Sequence, residues 1–248
     1  MKKIGDIEYF NIIEISENFL KKKTEEEIVK LFEIGKINGK KFENEWHADN
    51  EAINNFKKVY QNEKYFTVGP FDIDLTKVTM EGRILDIGGG GEAIISQLKG
   101  EQVVAIDPNK KELESSPDNK ALSIIMDAKD LQFLENTFDT VSAFFTMMYI
   151  PINDHKKVFQ EIYRVLKLNG EFFLWDVSIP KKHEEKKELY VVMLKVKVNG
   201  NIIDTGYGTK WEKEQNAEHF IKLGNEVGFE VLEQKLEPNL FRLKFRKV

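Results

Sequence analysis

The sequence predicts an α/β fold on a doubly wound, mostly parallel sheet of seven strands, the last of them antiparallel. Three observations carry this. From residue 83 short β-branched and aromatic runs alternate with stretches of helical period, the mark of successive strand–helix–strand units. The run Phe172, Phe173, Leu174, Trp175 is apolar on both faces, as a strand covered on both sides requires. At the end of the chain Phe241, Leu243 and Phe245 alternate with Arg242, Lys244 and Arg246, the pattern of an antiparallel strand near a sheet edge.

Residues 1–80 read as a helical, rather polar cap. Thr24 and Glu27 make a capping box, and Ile28, Leu31 and Phe32 mark one face of a helix that should stop at Asn38-Gly39. A second helix is expected over 52–61, with Ile53, Phe56, Val59 and Tyr60 inward. Their apolar faces are too narrow for a core of their own, so they should pack on the domain that follows, past a turn at Gly69-Pro70. That domain, 81–248, should hold strands at 83–87, 103–106, 122–126, 140–145 and 171–176, with helices at 93–98, 110–114 and 154–167. A β-hairpin is inserted at 188–208, because two alternating runs flank Asn199-Gly200. A helix over 214–227, stopped by Gly228, leads into the last strands, 229–236 and 240–248.

Composition narrows the function classes. At 248 residues, 41% hydrophobic and 32% charged, the chain can bury a core, and its net charge of −5 argues against a polyanion as main partner. The lack of cysteine excludes disulfides, thiolate metal sites and cysteine nucleophiles, and four histidines without ligand spacing argue against zinc. The most apolar stretch, 141–150, falls far short of the roughly 20 residues that span a bilayer. With no apolar core of the secretory kind behind Met1, a cytoplasmic location is expected.

The chemistry is concentrated at Ile84-Leu85-Asp86-Ile87-Gly88-Gly89-Gly90-Gly91-Glu92-Ala93. An apolar strand running into glycines and then a helix lets the main chain turn sharply and meet a ligand without Cβ obstruction. The same loop also satisfies a dinucleotide fingerprint through Gly88, Gly90 and Ala93, so a nicotinamide-dependent (NAD) oxidoreductase competes. Asp86 and Glu92 beside the glycines would oppose a pyrophosphate and tolerate a cofactor bearing an ammonium and a sulfonium. Asp107, followed by Pro108, ends the second strand, where a carboxylate can accept both hydroxyls of a ribose.

In these motifs the sequence resembles the class I S-adenosylmethionine-dependent methyltransferases, over about residues 80 to 248. The family's first motif matches Asp86-Ile87-Gly88-Gly89-Gly90, its ribose-binding acid Asp107, and its adenine-binding pair Asp127-Ala128. Phe138-Asp139-Thr140-Val141 resembles its fourth-strand motif, and Arg164-Val165-Leu166-Lys167-Leu168-Asn169-Gly170 its signature before the fifth strand. The resemblance implies a Rossmann-like fold, S-adenosyl-L-methionine as cofactor with S-adenosyl-L-homocysteine as product, and methyl transfer by in-line displacement. It implies Phe144 near the methyl donor, at the head of an aromatic stretch suited to a small-molecule acceptor. Gly91-Glu92 and Leu168-Asn169 depart from the usual pattern, the first beside the expected methionine carboxylate. The competing classes are the oxidoreductase, an RNA or protein methyltransferase, and a non-catalytic cofactor-binding protein. Tyr149, His155, Asp176, His183 and His47 are the acid/base candidates; none is assigned a catalytic role, and Asp176, ending the fifth strand, has the best position for a group facing the mouth.

Overall fold

The computed structural model describes residues 1–21 and 23–248, which fall into two compact units, Met1–Tyr65 and Phe66–Val248. In the first, β1 (Lys2–Ile4), β2 (Ile7–Asn11), β3 (Lys40–Phe42) and β4 (Glu45–Asp49) form an antiparallel sheet in the order β1-β2-β4-β3. Helices α1 (Ile12–Asn18), α2 (Glu25–Glu33) and α3 (Asn50–Lys64) accompany it. Both α1 and α2 open on capping boxes, Asn11 with Glu14 and Thr24 with Glu27, so two orphan amides at each start are satisfied reciprocally.

Two expectations for this region are corrected. It is not purely helical, and it has a core of its own: Ile15, Ile28, Phe32, Ile37, Ala48, Ile53 and Phe56 are buried together. The strands supply what the helices lack, since β4 brings Ala48 inward and Trp46 stacks on Phe32 with centroids 5.2 Å apart. Helix α2 also stops at Glu33, before Asn38-Gly39, and the chain then turns at Gly35 with φ 71°.

The second unit begins with β5 (Tyr65–Asp74), continues through β6 (Ile84–Ile87), α4 (Ile94–Lys99), β7 (Val103–Asp107), α5 (Lys110–Ser115) and β8 (Leu122–Ile125), and then β9 (Phe138–Phe144). After these come α6 (His155–Val165), β10 (Leu166–Val177), β11 (Leu189–Val198), β12 (Asn201–Lys210), α7 (Ala217–Val227), β13 (Phe229–Leu236) and β14 (Leu240–Lys247). Seven strands pair in the order β13-β14-β10-β9-β6-β7-β8. From β10 to β8 the sheet is parallel, and β14 runs antiparallel to both its neighbours. Strand order reverses between β6 and β9, so the ligand crevice of an open α/β sheet falls at their carboxyl ends.

The pleat sorts the core into two layers. Leu85, Ile87, Val141, Ala143, Phe172 and Leu174 face α6 and α7, meeting Phe159, Ile162 and Phe220. Ile84, Phe144, Phe173 and Trp175 face the other way, towards α4 and the inner residues of β11, among them Tyr190, Val192 and Leu194. The expected hairpin is therefore a cover for one face of the sheet, turning at Asn199 and Gly200, both with positive φ.

A third strand joins that cover: β5 pairs with β11, so residues 66–74 belong to the second unit, and Gly69-Pro70 lies within a strand where a turn was expected. Phe66 and Val68, then Phe71 and Ile73, are its inward residues, their alternation shifted by one across Gly69-Pro70, and Phe66 packs on Tyr190 and Trp211. The basic row of β14 is not a bare edge either. Arg242 pairs with Glu233 at 2.7 Å, Lys244 with Glu171 at 2.8 Å and Arg246 with Glu230 at 3.6 Å. Among the described residues no helix is long and apolar enough to cross a membrane.

Candidate active site

Strand β6 is buried along its whole length, and the glycines that follow bring its backbone against β7 and α5. Gly88 and Gly89 both donate to the carbonyl of Ile106, at 2.8 and 3.0 Å, which ties the loop to β7. Gly88 has φ 71°, and a Cβ there would stand 2.4 Å from Thr146 Oγ1. A Cβ on Gly90 would stand 2.6 Å from Glu112 Cβ and 3.2 Å from Asp107 Oδ2. The loop is therefore open only because it lacks side chains, and bare main chain borders the space beyond it.

That space is a cleft of about 660 Å³, within the usual range for small-molecule sites. Asp86, Gly88, Gly89, Gly90, Asp107, Pro108, Asp127, Ala128 and Phe144, nominated from the sequence, all line it. At its base Asp86 is 2% exposed and accepts a hydrogen bond from Ser142 Oγ at 2.7 Å. Burial, with the nearby Asp107 adding to it, pushes its carboxyl up to about 7. Asp107 is half-buried and also shifted upward by desolvation, while its Oδ1 accepts from Asn109 N at 2.7 Å. At the β8 end Asp127 Oδ1 accepts from Lys129 N at 2.9 Å, and Lys129 Nζ reaches Asp154 Oδ2 at 3.1 Å.

Another part of the wall is aromatic. Phe144, Phe145, Tyr149 and Tyr207 line the cleft, and Tyr207 stacks on Phe145 with centroids 5.5 Å apart. Gly206 and Tyr207 come from β12, so the hairpin closes this part of the cleft. It is pinned there twice: Thr205 Oγ1 donates to Glu92 Oε1 at 2.7 Å, and Gly208 N donates to the Tyr149 hydroxyl at 3.2 Å. Glu92, the departure from the family's glycine loop, is thus a fastening for β12. The signal for these partners, a strand reading Asp204-Thr205-Gly206-Tyr207-Gly208, gives no register across the cleft and could not have named them.

The acid/base candidates scatter. Tyr149 lines the cleft, and desolvation of its hydroxyl end pushes the phenol up to about 12, so it remains protonated at neutral pH. His155, expected at the start of an exposed helix, does start α6 but is fully buried. Asp176 is also fully buried and points away from the mouth, accepting from Met148 N at 3.1 Å and Val177 N at 2.7 Å. His183 is exposed and does not line the cleft, and His47 lies in β4 of the first unit, its Nδ1 3.0 Å from the Glu45 carbonyl. Among the described residues no cluster of His, Asp or Glu could hold a metal ion.

The signature helix residues serve structure. Glu161 accepts from Leu131 N at 2.9 Å and from Arg164, whose guanidinium also donates to the carbonyls of Leu131 and Phe133 at 2.7 and 2.8 Å. The pair anchors to α6 the loop that follows Asp127 and Ala128. Asn169 has the left-handed conformation expected of it, φ 62°, but inside β10, where the pairing with β9 shifts register, and not at a helix end.

A seven-stranded sheet in this order, with a glycine loop at its switch point and carboxylates at Asp86 in β6 and Asp107 at the end of β7, is the arrangement of the class I S-adenosylmethionine-dependent methyltransferases. Residues 85–174, within the second unit, match the family model described as a methyltransferase domain. Relatives bear this out. YrhH of Bacillus subtilis, named as a methyltransferase, is 28% identical over 56% of this chain and 79% of its own. The phosphoethanolamine N-methyltransferase of Plasmodium falciparum is 25% identical over 73% of this chain and 84% of its own. The sterol 24-C-methyltransferase of Kluyveromyces lactis is 27% identical over 61% of this chain but only 41% of its own length. Among solved structures, an S-adenosylmethionine-dependent methyltransferase of Methanosarcina mazei shares the fold, with TM-score 0.50 and 15% identity over 69% of this chain and 94% of its own. S-Adenosylmethionine is the cofactor of this fold and site.

Proposed function

We propose that the protein transfers a methyl group from S-adenosylmethionine to a small-molecule acceptor held at the aromatic part of the cleft. What supports the reading is the convergence of the nine nominated residues on one cleft whose lining also includes the rings of Phe145, Tyr149 and Tyr207. In this reading Asp107 accepts the ribose hydroxyls, Asp127 and Ala128 hold the adenine edge, and Gly88 to Gly90 give the methionine moiety room against bare backbone. The cofactor supplies the electrophile, a methyl group on a sulfonium, so the protein has chiefly to align the nucleophile and exclude water. Phe144, Phe145 and Tyr207 exclude water; Tyr149, still protonated, orients an acceptor by donating a hydrogen bond and takes no proton from it.

Two further observations favour a small acceptor. The relatives named above act, by their names, on a sterol and on phosphoethanolamine. The row that would suit a polyanion is neutralised: Arg242, Lys244 and Arg246 of β14 are paired with glutamates. In the first unit α1 and α2 are followed by a hairpin, a layout that helix-turn-helix proteins use on DNA, but α2 exposes Glu25, Glu26, Glu27 and Glu33 against Lys30 alone. Calorimetry tests the cofactor side: S-adenosylmethionine and S-adenosylhomocysteine should bind with micromolar or better affinity, and NAD should not. NAD binding without S-adenosylhomocysteine binding would refute it.

A further inference from the structure

The wall of the cleft between β9 and α6 has little regular structure of its own. Residues 146–151, which present Thr146, Tyr149, Ile150 and Pro151 to the cleft, fold into a short turn closed by Tyr149 N to Thr146 O at 3.0 Å and Ile150 N to Met147 O at 3.2 Å. Its shape is fixed from behind, by polar groups outside the cleft. Lys213 Nζ donates to the carbonyls of Met147 and Ile150, at 2.8 and 2.5 Å. His155 Nε2 lies 3.2 and 3.0 Å from the same two oxygens, and Asp176 Oδ2 accepts from Met148 N at 3.1 Å.

The tautomers follow from these contacts. His155 Nε2 faces two carbonyls and so carries a hydrogen; Nδ1, 3.0 Å from His219 Nε2, is then the acceptor of that contact. Met147 O also accepts from Ile150 N, whereas among the described residues Ile150 O is met only by His155 Nε2 at 3.0 Å and by Lys213 Nζ at 2.5 Å, the shorter of the two, so the ammonium is the closer donor to both carbonyls. The stretch bearing Lys213 is itself anchored: Gln215 exchanges backbone hydrogen bonds with Ile179 at 2.9 and 3.0 Å and donates from Nε2 to Asp176 Oδ1 at 2.9 Å.

The geometry points to Lys213 as a positioning residue for methyl transfer: its ammonium holds the turn at 146–151 in the form that completes the cleft wall. This rests on reading the cleft as the methyl-transfer site. The titratable groups facing Lys213 are Asp176 from β10, His155 from α6 and His219 from α7, the last with Glu226 and Lys222 beside it. Desolvation holds His155 down to about 4, so it stays neutral through the physiological range, and lowers Lys213 to about 8 against the opposing pull of Asp176. Above that value the clamp loses its charge, and charge-assisted hydrogen bonds become ordinary ones.

S-Adenosylhomocysteine affinity, measured by calorimetry from pH 6.5 to 9.5 on wild type, Lys213→Arg and Lys213→Gln, decides the matter. Wild-type affinity should fall about three- to tenfold across pH 8, the difference between a charge-assisted bond and an ordinary one. Lys213→Arg, which keeps its charge, should lack that fall, and Lys213→Gln should bind weakly at every pH while melting cooperatively. Ionisation of the ligand's own ammonium is common to all three proteins and cancels in the comparison. If either variant does not fold, the other against wild type still decides. Identical pH profiles for wild type and Lys213→Arg, or wild-type affinity in Lys213→Gln, would overturn the role of Lys213. No binding by wild type at any pH would overturn the reading of the cleft, and this role with it.

Discussion

Asp107 offers the sharpest perturbation of the cofactor end. It is half-buried at the end of β7, with Oδ1 accepting from Asn109 N at 2.7 Å and Oδ2 turned towards the bare face of Gly90. Desolvation raises its carboxyl above the ordinary value against the backbone hydrogen bonds of Asn109 and Gly90, and ribose hydroxyls would add further donors to the charge. Hydrogen bonds to a charged group contribute about 1.5–3 kcal/mol, and each 1.4 kcal/mol is about tenfold in affinity, so Asp107→Ala should weaken S-adenosylhomocysteine binding by roughly one to two decades. The same change frees Asn109 N, at a cost to the fold of about 1 kcal/mol, which a melting curve reads separately. Asp107→Asn keeps an acceptor for Asn109 but not the charge, and should fall between wild type and Asp107→Ala in calorimetry. Unchanged affinity in a folded Asp107→Ala protein would show that this carboxylate only fixes the loop to α5.

Three other outcomes are expected. Asp86 lines the cleft with its carboxyl pushed up to about 7, and the ammonium of the ligand's methionine-derived moiety would favour the ionised form, so S-adenosylhomocysteine affinity should rise as pH increases from 6 to 8. Asp86→Asn should flatten that rise, and a rise kept by the variant would contradict the assignment. Glu161 is held below the ordinary carboxylate range chiefly by Arg164, so its contribution is present above about 4.5 and is lost as pH falls through its folded value. Glu161→Gln should cost about 2–3 kcal/mol in urea unfolding at pH 7 and show a shallower loss of stability in acid, the pair being partly exposed. Because the first unit has its own core, a chain of residues 66–248 should fold and bind S-adenosylhomocysteine. We propose that residues 1–65 are needed for methyl transfer, so the truncated chain should bind S-adenosylhomocysteine and lose transfer; full activity would reduce them to a separate module.

The seven-stranded sheet was legible because burial on both faces leaves unbroken apolar runs, as at Phe172 to Trp175, and because glycines and Asn199-Gly200 punctuate them. The glycine wall of the cleft was legible too, since backbone geometry demands glycine at Gly88 and Gly90. The strands of the first unit were not. They are three to five residues long, rich in lysine and glutamate, and turn at Glu43-Asn44, which takes positive φ without a glycine. Strand β5 was hidden by the one-residue shift at Gly69-Pro70, which turns a period of two into an apparent break. The acceptor end depends on register between distant segments: Glu92 with Thr205, Tyr149 with Gly208, Lys213 with Met147 and Ile150. No local pattern encodes such pairings, because each is fixed by how β12 and the stretch after it lie on the sheet.

The identity of the acceptor class tests the proposed function most directly. The protein should be incubated with S-adenosylmethionine labelled in its methyl group and a cell extract separated into metabolite, RNA and protein fractions. Label should pass to a species in the metabolite fraction, and a Gly88→Val protein, whose side chain would collide with Thr146 and require a strained positive φ, should transfer none. Label in RNA or protein, with the metabolites unlabelled, would contradict a small-molecule acceptor at the aromatic part of the cleft.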